Sequence, residues 1–345
     1  VKTITLTPPA PSTAYDIVVG SGILNNLSKI IEKTGSVDNV IVLHDEALRD
    51  VAEGIASSVD GHLISVASGE ASKSMTEVER ITNEMLEVKA TRQSLLINVG
   101  GGMITDLGGF VASLYMRGIS CIHIPTSLLS MVDASIGGKT GVDIGTTKNI
   151  LGRFNHPHAV IADIDLLQSL PDDQMRDGLT EVIKIAAMRD ASFFSELEED
   201  VQKILDRDAK ALTNCIAHAI QLKADVVEQD EKEADLRMQL NFGHTVGHAL
   251  ETLSEFSISH GKAVSIGMVE EMRLTGAEGS ERVLELLQKI EMPVEMPKEY
   301  KREDLWTVMQ SDKKVSQGDV RIAVPKSIGE GCVQILKHDV FLAGS

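Results

Sequence analysis

Short apolar runs alternate with longer amphipathic stretches over the first 160 residues. DNVIVLHDEAL, GHLISVAS, SLLINVGGG and ISCIHIPTS each hold an apolar run that stops at polar residues or glycine. Such runs are the pattern of strands buried on both faces in a parallel sheet. Helical spacing lies between them, as in SMTEVERITNEMLEVKA over 74–90, where Ser74 and Glu77 have the spacing of a capping box. Strand–helix alternation predicts an α/β domain with a parallel sheet over residues 1–160. Beyond about residue 170 the pattern is helical: LPDDQMRDGLTEVIKIAAM, FFSELEEDVQKILDRD, ALTNCIAHAIQLKADVVEQDE and GHTVGHALETLSEF. Strand patterns return only at VRIAVPKSI and CVQILK, so 161–345 is expected to be a mainly α-helical domain. GRFNHPH (152–158) belongs to the junction, and no long linker or internal repeat separates the halves. The two domains are expected to pack closely and leave a cleft.

Composition narrows the functional classes. The 345 residues suffice for two cores, and no apolar stretch approaches the roughly 18 residues of a membrane span. The first residues lack the basic start and apolar core of a secretory signal. Cys121, Cys215 and Cys332 are isolated, which fits a reducing cytoplasm better than a disulfide framework. A formal net charge of −18 opposes nucleic acid and anionic membranes as partners. Any anion site must then be a local cluster of lysine and arginine.

Several segments carry candidate chemistry. NVGGGMITDLGGF (98–110) follows an apolar run and precedes a helical pattern, which suits either a pyrophosphate cradle or a tight strand–helix turn. It is not the GxGxxG fingerprint. SIGGKTGVDIGTTKN (135–149) ends a GK[ST] motif but has Asp133 where a P-loop needs glycine, which excludes the nucleotide-triphosphatase reading. Its two lysines suit an anion pocket or a solvated loop. His244 and His248 in NFGHTVGHALE share a helix face, as a metal pair or as two core histidines would. Glu181, inside the apolar LTEVIK stretch, and His260, between apolar runs, complete a possible three-ligand centre. Lys184, Lys223, Arg237, Lys313 and Lys314 occupy the same region, for an anionic substrate or for surface ion pairs. His156 and His158 read as exposed turn residues and His44 and His123 as structural. His62, His218 and His338 show no partner pattern.

In this order, GGGMITDLGGF, YMRGI, IPTSLLSMVDASIGGKTGVD, KNILGRF, GLTEVIK, DEKEADLRMQLNFGHTVGHALE and SHGKAVSIGM resemble the 3-dehydroquinate synthase family, from about residue 68 to 329. The resemblance implies an N-terminal nucleotide-binding domain, a helical C-terminal metal-binding domain, NAD, a divalent zinc or cobalt ion, and a homodimer. It implies conversion of 3-deoxy-D-arabino-heptulosonate 7-phosphate to 3-dehydroquinate and phosphate. The route is transient oxidation, phosphate β-elimination, reduction, ring opening and intramolecular aldol closure, with NAD regenerated. By position, Glu181, His244 and His260 would hold the metal, and His248 would serve proton transfer or substrate binding. NAD would meet Glu70, Lys73, Gly102, Met103, Ile104, Thr105, Asp106, Thr126, Ser127, Lys139, Lys148, Leu166, Leu167, Gln168 and Ser169. Substrate would meet Asp133, Lys139, Asn149, Lys184, Lys223, Arg237, Asn241, His248 and one or both of Lys313 and Lys314. Arg117 would reach into the neighbouring subunit's site.

Departures from the family pattern are HGKAV for HGEAV, with Lys262 for glutamate, TEVIK for AEVIK, PTS for PTT, and Thr147 before KN. None removes an implied ligand or clamp. Related sugar phosphate cyclases and a metal-dependent polyol dehydrogenase are the competing enzyme readings. A non-catalytic NAD-binding scaffold is the competing class. Retention of Asn241 and His248 favours the dehydroquinate synthase reading over the other cyclases.

Overall fold

Three apolar runs of the first half, VIVL, LLINV and CIHI, become strands buried on both faces, whereas HLISV lies at the sheet edge and buries only Ile64 and Val66. The computed structural model describes residues 14–145, 147–311 and 320–344. Strands β1 (Asp16–Gly20), β2 (Val40–Asp45), β3 (His62–Val66), β4 (Leu95–Gly100), β5 (Ser120–Pro125) and, after an intervening hairpin, β8 (Ala159–Asp163) form one parallel sheet. The strand order is β1-β8-β5-β4-β2-β3. In β2, Ile41 and Leu43 face the core beneath α3 (Met75–Glu87) and α4 (Gly102–Leu114). Val40 and Val42 face the opposite core beneath α1 (Leu27–Glu32) and α2 (Arg49–Val59). The continuous apolar run is therefore two interleaved period-2 faces.

Local signals act as the sequence suggests, with one change. Ser74 Oγ accepts the Glu77 N–H at 3.3 Å and caps α3, but the Glu77 carboxylate turns to Arg80 rather than back to the cap. The glycine-rich stretch after residue 138 is a β-hairpin, β6 (Lys139–Ile144) against β7 (Thr147–Phe154), rather than a solvated loop. Gly141 and Gly152 face each other across it, and a Cβ on Gly152 would stand 2.5 Å from the Thr140 carbonyl. Close backbone approach, not flexibility, explains those glycines.

The second half is helical: α5 (Asp172–Arg189), α6 (Ala191–Leu205), α7 (Ala209–Gln229), α8 (His244–Leu253), α9 (His260–Thr275), α10 (Ser280–Lys289), α11 (Arg302–Ser311) and α12 (His338–Ala343). The strand patterns near the end form the antiparallel hairpin β9 (Val320–Ser327) and β10 (Glu330–Leu336). These elements enclose one core that includes Phe193, Phe194, Ile216, Phe242 and Leu250. The boundary expected at 160 falls inside β8, whose pairing with β1 keeps it in the sheet. We propose to place it after Asp163, where the chain leaves the sheet for α5.

Candidate active site

The sheet makes its crevice where neighbouring strands send the chain in opposite directions. β2 leads outward to β3, whereas β4, beside it, leads to β5 on the other side. Ligands of open α/β sheets bind at such switch points, beyond the carboxyl ends of the strands. The junction of β4 and α4 supplies Gly100, Gly101 and Gly102, and the α4 N-terminus has no side-chain cap. A Cβ on Gly100 would lie 2.6 Å from Ile104, and one on Gly108 1.9 Å from Asn98 Oδ1, so α4 can seat on β4 only with glycine there. Ile104 and Thr105 are buried, which leaves their backbone, not their side chains, for a ligand. An uncapped helix start with bare glycines suits an anionic pyrophosphate.

Around this crevice, Lys73 is buried and donates to Asp106 Oδ2 and Asn149 Oδ1, each at 2.6 Å. Burial opposes its charge, but Asp106 and Glu70 outweigh that and raise its pKa. Asn149 has φ 52 and its N–H donates to Asp143, which presents the side chain to Lys73. Thr126 and Ser127 follow β5. Leu166, Leu167, Gln168 and Ser169 lie on the 3-10 turn Ile164–Ser169. Leu167 is fully buried and its carbonyl accepts from Arg207 at 3.0 Å, so it supports this turn from within the core. Gln168 and Ser169 are exposed. Asp45, which the sequence reading passed over, ends β2 at the same switch point, held by the Ala47 N–H and the Ser68 hydroxyl. The signal was available, since an acid closing an apolar strand beside a glycine loop is the usual ribose-binding position.

The helical domain brings its ligands together at the start of two helices. α8 begins at His244 and α9 at His260. The helices approach closely: a Cβ on Gly267 would stand 2.0 Å from the Gly243 carbonyl. Glu271 of α9 accepts the Gly243 N–H at 2.8 Å and the Val246 N–H at 3.1 Å, which caps α8 with a buried carboxylate. Glu181 projects from α5 into the same space. Its Oε1 is 3.7 Å from His244 Nε2 and 3.4 Å from His260 Nε2. These three donor atoms lie within 4.8 Å of one another. Glu181 Oε1 is buried and finds no hydrogen-bond partner among the described residues. An orphaned carboxylate oxygen aimed at two imidazole nitrogens fits a divalent cation with open coordination positions.

Two of the three donors are already in ligating form; at His260 burial lowers the pKa but Glu181 and Glu251 raise it to about 10, so that ring would give up a proton to bind a cation. His244 Nδ1 lies 3.0 Å from the Phe242 carbonyl, which leaves Nε2 as the free lone pair. Burial, then Lys184 and the other two histidines, push His244 well below its ordinary range, so the ring is neutral. Burial would raise Glu181, but Lys184 and His260 hold it low. His248 is the more open of the HTVGH pair: its side chain is 44 % exposed, its Nε2 is 4.0 Å from Glu251, and with Glu251 and His260 it makes a second group of donor atoms within 4.8 Å of one another. Glu251 is buried, with Oε2 3.5 Å from His260 Nδ1. Carboxylate, imidazole and cation in line is the arrangement that orients a metal-binding histidine.

A basic pocket adjoins the centre. Lys184 donates to Glu181. Asp133, on a π-helical turn (Ser130–Ala134), accepts from Lys223, whose Nζ also donates to the Asp133 carbonyl at 2.5 Å. Burial lowers Lys223 to about 8 despite Asp133. Arg237 is buried and donates to the Gly137 and Glu231 carbonyls, at 3.2 and 2.5 Å. Lys139 and Asn241 both donate to the Glu233 carboxylate, another residue the sequence reading missed. Lys148 donates to Glu251 at 3.2 Å and lies over the Phe256 ring. Arg117 is exposed at φ 72, after Met116 at φ 51. Lys313 and Lys314 lie outside the described residues. Two histidine readings change: His156 is partly buried against Glu231, and His218 pairs with Asp190 at 3.1 Å.

The chain is similar to known proteins over most of its length. The family profile described as 3-dehydroquinate synthase N-terminal matches residues 63–177, and the one described as 3-dehydroquinate synthase C-terminal matches 178–315. The 3-dehydroquinate synthase of Dictyoglomus turgidum is 41% identical over 322 residues, covering 91% of this chain and 90% of that one. That of Dictyoglomus thermophilum is 42% identical over 329 residues, covering 94% and 92%. Among solved structures, the 2-epi-5-epi-valiolone synthase of Streptomyces hygroscopicus, with NAD+ and Zn2+ bound, has a TM-score of 0.87 at 24% identity, covering 99% and 98%. A 2-deoxy-scyllo-inosose synthase complexed with carbaglucose-6-phosphate, NAD+ and Co2+ has a TM-score of 0.84 at 20% identity, covering 96% of each. These two likenesses establish the fold. The two profile matches and the full-length relatives establish descent: the chain belongs to the 3-dehydroquinate synthase family.

Proposed function

We propose that this chain is a 3-dehydroquinate synthase, acting on 3-deoxy-D-arabino-heptulosonate 7-phosphate in the formation of aromatic precursors, as a phosphate-eliminating carbon–oxygen lyase. One observation carries the reading: the Glu181, His244 and His260 donors adjoin buried Lys184, and buried Lys223 holds Asp133 on the turn whose Ala134 packs against Gly102 at the start of α4. A metal centre, an anion pocket and a dinucleotide crevice then share one cleft. NAD supplies a reversible hydride acceptor, and a zinc or cobalt ion held by Glu181, His244 and His260 supplies Lewis acidity.

The protein's own groups do the rest. Lys184, Lys223 and Arg237 are buried cations that hold the anionic ends of the substrate, and the family pattern adds one or both of Lys313 and Lys314. Asp133 keeps Lys223 charged and aimed. Lys139 and Asn241 exchange Glu233 for substrate oxygens. His248, exposed on the face of α8 beside Glu251, moves a proton at the cleft mouth. Asn149 and Lys73 set the cofactor edge, and Asp45 takes ribose hydroxyls.

The homodimer reading is supported by the exposed Leu114 and Met116, 44% and 42% accessible, beside Arg117 on a left-handed turn. No helix among the described residues is long and apolar enough to cross a membrane. Cys121 and Cys215 are buried free thiols raised to about 12, which accords with a reducing cytoplasm. The deciding assay measures phosphate release from the heptulosonate phosphate with catalytic NAD and metal. Release without net NADH supports the reading. Turnover of a heptose or glucose phosphate alone would assign another sugar phosphate cyclase, and net NADH with a polyol a dehydrogenase.

A further inference from the structure

Consecutive residues of the β6–β7 hairpin grip opposite halves of the cleft. Asn149 accepts from Lys73, which is bound to Asp106 on the dinucleotide side. Lys148 instead crosses to the helical domain. Its Nζ lies 3.2 Å from Glu251 Oε1 and 4.3 Å from the centre of the Phe256 ring. Glu255 and Phe256 have φ of 51 and 63, two successive left-handed residues that place Phe256 at the end of α8 over the lysine. A carboxylate and an aromatic face together make a socket for an ammonium group.

The socket is joined to the metal centre through a single carboxylate. Glu251 uses Oε1 for Lys148, while Oε2 lies 3.5 Å from His260 Nδ1. The other nitrogen of that ring, Nε2, lies 3.4 Å from Glu181 Oε1. Whatever turns the Glu251 carboxylate therefore turns His260. Lys148 restrains it from one side, and His248, at 4.0 Å, offers a competing partner on the other.

We propose that Lys148 is a positioning residue that ties the β6–β7 hairpin to His260 through Glu251, so that the hairpin's seat sets the affinity of the centre for a divalent cation. The inference rests on Glu181, His244 and His260 being that centre. Lys148 touches none of the three ligands among the described contacts, so its effect on metal affinity is not expected from charge repulsion. Removing a cation near a cation site should strengthen metal binding by simple electrostatics. Here removal should weaken it, because the ligand loses its alignment.

The test is a double-mutant cycle on Zn2+ affinity, read by competition with a chromogenic chelator on the full-length protein, without substrate. Glu251→Gln should weaken zinc binding about tenfold or more, the usual cost of losing an outer partner of a metal-binding histidine. Lys148→Met should weaken it on the order of threefold or more, Lys148→Arg should restore it, and the double variant should match Glu251→Gln. Phe256→Leu, at an exposed position, should give a smaller loss in the same direction. With Co2+ in place of Zn2+, the visible spectrum should shift alike in Lys148→Met and Glu251→Gln. Unchanged or tighter zinc binding in Lys148→Met, or additive losses in the double variant, overturns the tie. Absence of zinc binding by the unaltered protein overturns the metal centre itself, a separate and distinguishable failure.

Discussion

The two histidines of HTVGH should respond differently to truncation. His244 is buried, 3.7 Å from Glu181 Oε1, with its other nitrogen committed to the Phe242 carbonyl. His248 is 44% exposed and faces Glu251, not Glu181. Zinc in small protein sites is bound by about 10–16 kcal/mol. Shared among three protein ligands, one of them is worth roughly 3–5 kcal/mol, or two to nearly four orders of magnitude in Kd. His244→Ala should therefore lose zinc on dialysis at micromolar protein. His248→Ala should retain close to one equivalent and lose turnover, by about 10²–10⁴ if it transfers the proton. Metal analysis after dialysis, paired with phosphate release by the reloaded variants, measures both. Equal zinc loss in the two variants would refute the division of roles, because exposure and ring orientation would then not decide ligation.

Other outcomes follow from particular contacts. Lys223 sits at about 8 because it is buried, so kcat/KM should fall as pH rises through about 8 and the ammonium is lost. Lys223→Arg should carry that alkaline limb beyond the measured range, and an unmoved limb would rule Lys223 out as its source. Gly243→Ala meets a left-handed φ of 76 and a Cβ 2.5 Å from Met268, so it should cost about 1–3 kcal/mol in denaturant unfolding and weaken zinc binding as well. Asp190 caps α6 through the Ser192 and Phe193 N–H groups, and these with His218 lower it to about 2 against the upward push of burial. Its folded pKa is below its ordinary value, so its contribution is present above about pH 4 and is lost as pH falls toward 2. Asp190→Ala should lower stability by about 1 kcal/mol near neutral pH, with the difference vanishing in acid. Chelation should lower the Tm of the zinc-loaded protein by mass action, and added zinc should restore it.

How much of this was legible in the chain depends on the range of the interaction. Apolar periodicity and capping act within a few residues, so the sheet strands, the long helices and the Ser74 cap could be read directly. Residue type and order likewise pointed to Glu181, His244, His260 and the basic residues. Helical spacing put His244 and His248 on one face and could go no further. Their difference arises where α9 meets α8 at Gly243 and Gly267 and where α5 delivers Glu181 from more than sixty residues away. The hairpin at 139–154 looked like a loop because its glycines serve a backbone contact across strands rather than any local preference. Asp45 carries a local mark, as the acid that closes an apolar strand, whereas Glu233 and Glu251 carry none, since an isolated carboxylate reads as solvated until tertiary packing supplies its partners. The sequence by itself determined which elements form and which chemistries are present. The tertiary structure decided which atoms of those groups face one another, because burial and orientation are properties of neighbours distant along the chain.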